Sequence, residues 1–330
     1  MRPWIVTALV IGTLSVAAAS GQSTAVGARP QSSKKWVMPR TPDGRPDLQG
    51  LWNFRTATPL ERPPEFAGRE FLTDAEIAAV ERQTAERLQV DGPKETLLNT
   101  PPFWLESGTR VVGTRRSSLI VEPRDGRLPA MTPAGLQRVN AILAARAAMI
   151  GPESLAPWER CITRGFPGVM LPSAYNNNLQ ILQTPGYVAL ATEMIHETRM
   201  VPVDGRVSPP QGLRAWLGYS VGRWEGDTLA IDTRNFSAQA DFMGIGNRFM
   251  GAARQLHVIE RFTRMDADTI DYRLTVDDPL TWTQPWTVAI PLVKTDGPIY
   301  EYACHEANYN LTNMLSTARS KESAGRAGGR

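Results

Sequence analysis

The chain has 330 residues, 42% of them hydrophobic and 21% charged, with 36 Lys and Arg against 33 Asp and Glu, a net charge of +3 and a pI near 9.0. Such a composition excludes a disordered or fibrous chain and supplies enough apolar material for a sizeable core. The basic excess sits at the ends: residues 1–47 hold six basic side chains against two acidic ones and residues 319–330 hold four against one, leaving residues 48–318 at −4. A mildly acidic body has the wrong sign for a phosphate-binding face, so nucleic acid is not an expected partner.

The first twenty residues place Arg2 before an apolar run from Trp4 to Val16 and then the small residues Ala17, Ala18, Ala19 and Ser20. This pattern predicts a secretory signal over residues 1–19, cleaved near Ala19. Its apolar run is shorter than the ~20 residues that span a bilayer, and no later segment is long and apolar enough. The mature chain is therefore expected to be periplasmic or secreted, with no integral membrane segment. Residues 20–47, rich in Ser, Gly, Pro and basic side chains, read as a flexible leader. A single globular domain is expected over 48–318, made of a mixed helix and strand part (48–160) and a β-rich part (161–318), with a disordered basic tail over 319–330.

Two segments carry helical signals. Thr73-Asp74-Ala75-Glu76 has capping-box spacing before Ile77, Val80 and Leu88, which predicts a helix over about 74–89. Thr132, with Pro133 in the first turn, opens a second one that runs through Leu136, Val139, Ile142 and Leu143 toward Gly151. Between them, Val111 to Val121 reads as one or two strands ending in the turn Glu122-Pro123-Arg124-Asp125-Gly126.

From about residue 176 the period changes to two. Thr269 to Asp277 alternates with Ile270, Tyr272, Leu274 and Val276 on one face. Similar runs occupy 179–182, 187–194, 197–203, 215–221, 228–233, 256–263, 287–293 and 299–304, separated by turn residues such as Thr184-Pro185-Gly186 and Glu225-Gly226-Asp227. With no helical pattern between them, the expected fold is mainly β with a few helices (α+β), an antiparallel meander with its helices in the N-terminal half. Gly50-Leu51-Trp52 resembles the Gly-x-Trp that opens the first strand of lipocalin-like barrels, where the indole plugs the closed end. The resemblance implies closure into a lipocalin- or calycin-like barrel.

The strings RTPDGRPDLQGLWNF, DGRLP, ITRGFPG, GRWEGDTL, ERFTR, DPLTWTQPW and EYACHEANY are similar to those of a large family of uncharacterised exported bacterial proteins, over about residues 40–318. The resemblance implies export and a single globular unit and supplies no activity.

The two cysteines, Cys161 and Cys304, are an even count in a chain expected to be exported, so one disulfide is the default, with two buried free thiols as the alternative. Closing so long a loop is worth about 4 to 5 kcal/mol in the chain-entropy picture. No Cys-x-x-Cys supports a zinc or redox centre.

Gly218-Tyr219-Ser220-Val221-Gly222 matches the Gly-x-Ser-x-Gly of a nucleophile elbow, but the helix that motif needs is missing, and a hairpin is the expected context. His196, His257 and His305 each have a carboxylate close in sequence: Glu197, Glu260 and Glu306. A barrel mouth would gather them as a general base with its orienter, His305 or His257 with Glu260 or Glu306, or as metal ligands. Adjacent strand residues face opposite ways, which works against the 196/197 and 305/306 pairs, and without His-Glu-x-x-His no metal is expected. Glu260 shares a strand face with Leu256, Val258 and Phe262, where burial would raise its pKa unless Arg261 or Arg264 pairs with it.

Candidate ligand contacts are Arg164, Asn176, Asn178, His196, Trp282 and Trp286. Amides orient polar groups, Pro285 breaks strand pairing between the two indoles, and a disulfide would draw Arg164 and the Asn run toward His305 and Glu306. The leading expectation is a small, partly apolar ligand in a barrel pocket, with no cofactor. The alternatives are a hydrolase, lyase or isomerase using a His/Glu pair in that pocket, and an envelope-associated structural protein.

Overall fold

Alternation of apolar and polar side chains in the second half of the chain builds one ten-stranded sheet. The computed structural model describes residues 36–89, 106–207, 209–210, 212–237, 239–240, 254–306 and 308–328. The signal expected at 1–19 and the leader up to residue 35 lie outside the described residues. The strands are β1 (Gly50–Asn53), β2 (Ile120–Glu122), β3 (Asn178–Thr184), β4 (Tyr187–Thr192), β5 (Thr198–Pro202), β6 (Tyr219–Glu225), β7 (Thr228–Arg234), β8 (His257–Arg264), β9 (Thr269–Asp277) and β10 (Trp286–Lys294). The helices are α1 (Asp74–Gln89), α2 (Pro133–Ala148) and α3 (Tyr309–Gly328).

The strands follow one another around the sheet in the order β5-β4-β3-β1-β10-β9-β8-β7-β6, and β2 adds to the first half of β10. All pairings are antiparallel. The fold is mainly β with a few helices, a meander rolled into a near-closed lipocalin- or calycin-like barrel. Pro291 sits inside β10 because Ala289 donates its N–H to Leu119 and Val293 pairs with Asn53, so the proline nitrogen falls in the gap between β2 and β1 where no bond is needed.

The inward faces fill the lumen. Leu179, Ile181, Leu190, Val258, Phe262, Ile270, Leu274, Val276, Val288 and Ile290 are all buried to 1% or less, which leaves no water-sized space beside them. At the end of tight turns, Trp52 is fully buried, donates its indole N–H to the Leu48 carbonyl at 2.9 Å and lies under the Arg264 guanidinium at 5.4 Å. Arg264 is in turn fixed by the carbonyls of Asp47, Asp266 and Ala267. This is the plug that the Gly-x-Trp resemblance implies. At the other end Phe166, Val169, Met170 and Leu171 are buried as a stopper, with Phe166 stacked on Phe236 at 6.2 Å.

Both expected helices form where their caps place them. Thr73 and Glu76 exchange backbone and side-chain hydrogen bonds at 2.9 and 3.3 Å, and the Thr132 hydroxyl accepts from Gly135 N–H at 3.0 Å. Other expectations need correction. Most of Val111–Val121 is not strand, because its N–H groups go elsewhere: Val111 to Glu81, Val112 to the Thr58 hydroxyl and Leu119 to the Pro59 carbonyl. Ile299–Cys304 is not a strand either, since Tyr300 N–H is taken by the Glu193 carboxylate. Helices are not confined to the N-terminal half: α3 runs through most of the stretch expected to be a basic tail, and Arg319 ties it to the carbonyls of Met149 and Ile150 beyond α2. The leader gives way to structure before residue 47, where Thr41 and Arg45 close a turn and Gln183 binds the Pro46 carbonyl.

Removing the plug tests this arrangement. Trp52→Ala is expected to cost about 3–5 kcal/mol of stability, read from the midpoint of urea unfolding. A cost below about 1 kcal/mol would show that the barrel end is closed by something else.

Candidate functional site

Strand parity sends three polar side chains into the apolar lumen. Arg199 shares its face of β5 with Val201, Glu260 its face of β8 with Val258 and Phe262, and Tyr272 its face of β9 with Ile270 and Leu274. Glu260 is fully buried and Arg199 only 7% exposed. The guanidinium donates twice to Glu260, Nη1 to Oε2 at 2.6 Å and Nη2 to Oε1 at 2.8 Å, and the Tyr272 hydroxyl donates to Oε1 at 2.9 Å. The Phe166 ring covers the guanidinium at 3.9 Å. Burial alone would lower the Arg199 pKa, but the Glu260 carboxylate overrides it and holds the group up. Burial, and then the charge of Glu260, push the Tyr272 hydroxyl well above the usual phenol range, so it stays a donor.

Outside this cluster, at the seam between the two sheet edges β5 and β6, lies a groove of about 460 Å³. Arg199 and Ser220 form its floor, Tyr187 and Met200 one wall, Tyr219 and Val221 the other. The β5–β6 connection crosses above, contributing Val207 and Leu217. Both guanidinium groups in the groove are already engaged: Arg199 by Glu260, and Arg206 by Asp204, whose carboxyl the Arg206 side chain holds down at about 2. Arg206 also stacks over the Tyr187 ring at 5.1 Å. What remains is apolar and aromatic wall, with the Ser220 hydroxyl shared with Arg199 and Thr233.

The Gly-x-Ser-x-Gly string forms the β6 side of this groove, in the expected hairpin with β7. Its glycines serve close approach. A Cβ on Gly222 would stand 2.8 Å from the Val203 side chain reaching across the seam, and Gly218, at φ 70°, would place one 2.7 Å from the Arg234 carbonyl. Ser220 shares a hydrogen bond with the Thr233 hydroxyl at 2.9 Å and has no base beside it.

The histidines do not converge. His196, His305 and Glu306 are exposed. His257 and Glu260 lie an odd number of residues apart on one regular strand, so they face opposite sides, and His257 Nε2 meets Asp232 Oδ2 at 2.6 Å on the outer face instead. Burial alone would raise the Asp232 pKa, but His257 and then Arg234 hold it at about 2. Glu260 is indeed buried on its apolar face, yet its partner is Arg199 rather than Arg261 or Arg264. The expected acid–base pair is therefore not assembled. Among the described residues no group of three or more His, Cys, Asp and Glu is placed to hold a metal, and no helix is long and apolar enough to cross a membrane.

Trp282, Trp286, Asn178 and Arg164, expected as ligand contacts, pack or bond within the protein. Trp282 and Trp286 are buried against each other edge to face, centroids 5.5 Å apart, rather than exposed at a rim. Asn178 accepts from Asn53 and donates to Glu193, both at 2.7 Å, and Asn176 takes a left-handed turn at φ 54°. Cys161 and Cys304 form the disulfide. Arg164, three residues on, stacks on Trp158 at 4.1 Å and feels Tyr175 and Tyr302.

Sequence reading missed Arg199, Tyr272 and Ser220 as one cluster. The available signal was an arginine with the parity of Val201 on one strand and a glutamate with the parity of Val258 on another.

Glu260→Gln is expected to destabilise the fold by about 3–5 kcal/mol in urea unfolding, whereas the double change Arg199→Met with Glu260→Leu recovers most of that loss, because an unpaired buried charge costs more than an apolar replacement. Equal losses in the two variants would contradict the pairing. Asp232, lowered from 3.8 to about 2, contributes stability that is present above about pH 4 and lost as pH falls toward 2. In His257→Leu the Asp232 pKa moves back toward 3.8, so the loss is expected to be smaller and to be complete at a higher pH, which the pH dependence of stability in urea unfolding measures.

In comparisons with known proteins, no family model, no curated protein and no solved structure matches the chain.

Proposed function

We propose that this is an exported binding protein, periplasmic or secreted, whose barrel holds a small, partly apolar and uncharged ligand in the groove at its seam. The observation that carries the reading is the contrast between a lumen filled by its own side chains and a concave seam walled by Tyr187, Met200, Leu217 and Tyr219. Neutrality follows from charge accounting, since Arg199 and Arg206 are both matched by carboxylates and an anion would find no free partner. The Ser220 hydroxyl beside these neutralised charges is already shared with Thr233 and Arg199. Export is supported by Arg2 with its apolar run and small-residue site and by the Cys161–Cys304 disulfide, a bond favoured in oxidising compartments. Membership of the exported bacterial family is part of the same proposal, on the strings from RTPDG to EYACHE.

Small molecules that co-purify with the mature protein, identified by mass spectrometry, supply the compounds to test. A true ligand at roughly a hundredfold excess over its Kd stabilises the protein by about 2.7 kcal/mol, which thermal unfolding reads directly. Met200→Arg, at an exposed position of the groove wall, is expected to abolish that stabilisation with the unliganded Tm little changed. Equal stabilisation of both proteins would place the ligand elsewhere and overturn the reading.

A further inference from the structure

The disulfide holds together two stretches of chain around an unmatched cation. Trp158 and Arg164 flank Cys161, and Tyr302 lies two residues before Cys304. The Arg164 guanidinium stacks on the Trp158 ring at 4.1 Å, with Tyr175 and Tyr302 beside it. Stacking uses the face of the guanidinium and leaves its N–H donors, which all lie in its plane, without acceptors. Among the described residues none accepts from those donors, and Nη1 is sealed from water with no hydrogen-bond partner. The most deeply buried arginines are served differently: Arg62 donates to Ser117 and the Arg124 carbonyl, Arg199 to Glu260, and Arg264 to three backbone carbonyls. Burial pulls the Arg164 pKa down, and no carboxylate stands among the groups that counter it.

The hydroxyls around Arg164 add donors. Trp158 Nε1 donates to the Tyr302 hydroxyl oxygen at 3.2 Å, which leaves the Tyr302 proton to give. Burial, and then the adjoining Tyr302, push the Tyr175 phenol up, so it too keeps its proton. Trp158, Arg164, Tyr175 and Tyr302 are each only partly buried, so the cluster reaches the surface. A positive, donor-rich cluster among aromatic rings is completed by a negatively charged acceptor on an apolar frame. A single unmatched charge suits a carboxylate better than a doubly charged phosphate.

We infer that Arg164, with the Tyr302 hydroxyl, forms a second binding site at the disulfide for a small organic acid, whose carboxylate pairs with the guanidinium edge. None of these side chains lines the seam groove, so the site is independent of what the groove binds.

The probe is benzoate, titrated by calorimetry into the full mature protein near neutral pH at constant ionic strength, beside benzamide, which keeps the ring and the planar head without the charge. Benzoate is expected to bind at least about tenfold more tightly than benzamide, as a charge-assisted contact requires. Arg164→Met keeps an unbranched side chain against Trp158 and is expected to lose about tenfold or more in benzoate affinity, while benzamide is unaffected. Should that variant fail to fold, Tyr302→Phe, which removes one donor and keeps the ring, is expected to weaken benzoate by roughly three- to tenfold and decides in its place. Equal affinity for benzoate and benzamide overturns the inference, as does the absence of benzoate binding. Benzoate binding undiminished in the variant places the anion elsewhere and overturns it too.

Discussion

Strand direction reverses at every pairing from β5 round to β6, and with nine strands on that path the last runs the same way as the first. The two edges thus meet in parallel, while the rest of the sheet is antiparallel. Parallel neighbours need a long crossover, and residues 203–218 supply one, returning the chain from the end of β5 to the start of β6. No ladder forms across that seam. Side chains hold it instead: Val201 and Val203 reach over Gly222, and Arg199 crosses the lumen to Glu260 on β8. Two strands, β6 and β7, lie between β8 and the open edge, so the ion pair spans the gap that backbone bonds leave. The groove is the outer surface of the same unfinished closure.

That ion pair depends on a chain of supports leading back to the disulfide. Cys161–Cys304 anchors the loop that starts at Cys161. Thr163 and the backbone N–H of Arg164 hold the Glu197 carboxylate, itself pushed up by burial, at the threshold of β5. Two residues on, Phe166 closes the barrel mouth and lies against the Arg199 guanidinium. An uncovered guanidinium at this depth would draw water toward Glu260 and weaken the pairing. The stopper that fills the lumen and the clasp that joins the edges are thus parts of one assembly. A lumen opened to admit a ligand would lose the clasp.

The strands were legible because alternation is a local property: β8 and β9 bury every second residue, and the sequence says which. The helix caps at Thr73 and Thr132 were legible for the same reason. The Gly-x-Trp plug was readable only through resemblance, since Arg264, which covers Trp52, lies more than two hundred residues away. The candidate site resisted because its parts come from β5, β6, β8 and β9, and which strands face one another across a barrel is set by strand order, not by any one segment. Proximity in sequence misled at His257 and Glu260, where an odd spacing on one strand separates the side chains. It misled again at Trp282 and Trp286, where the break at Pro285 turns two indoles onto each other rather than outward.

The outer surface divides at the seam. Beyond β6 the strands carry charges of both signs in contact, with Glu225 between Arg223 and Arg261, Asp232 between His257 and Arg234, and Asp271 beside Arg273. On the β3–β5 side the outward positions hold Gln180, Leu182, Tyr187, Ala189, Thr198 and Met200, none of them charged. Opposite charges paired this closely cancel within a few ångströms and project little field, so neither side draws a charged molecule toward the groove. A ligand of the groove proposed above would therefore be held by contact with its apolar wall and not drawn in by charge.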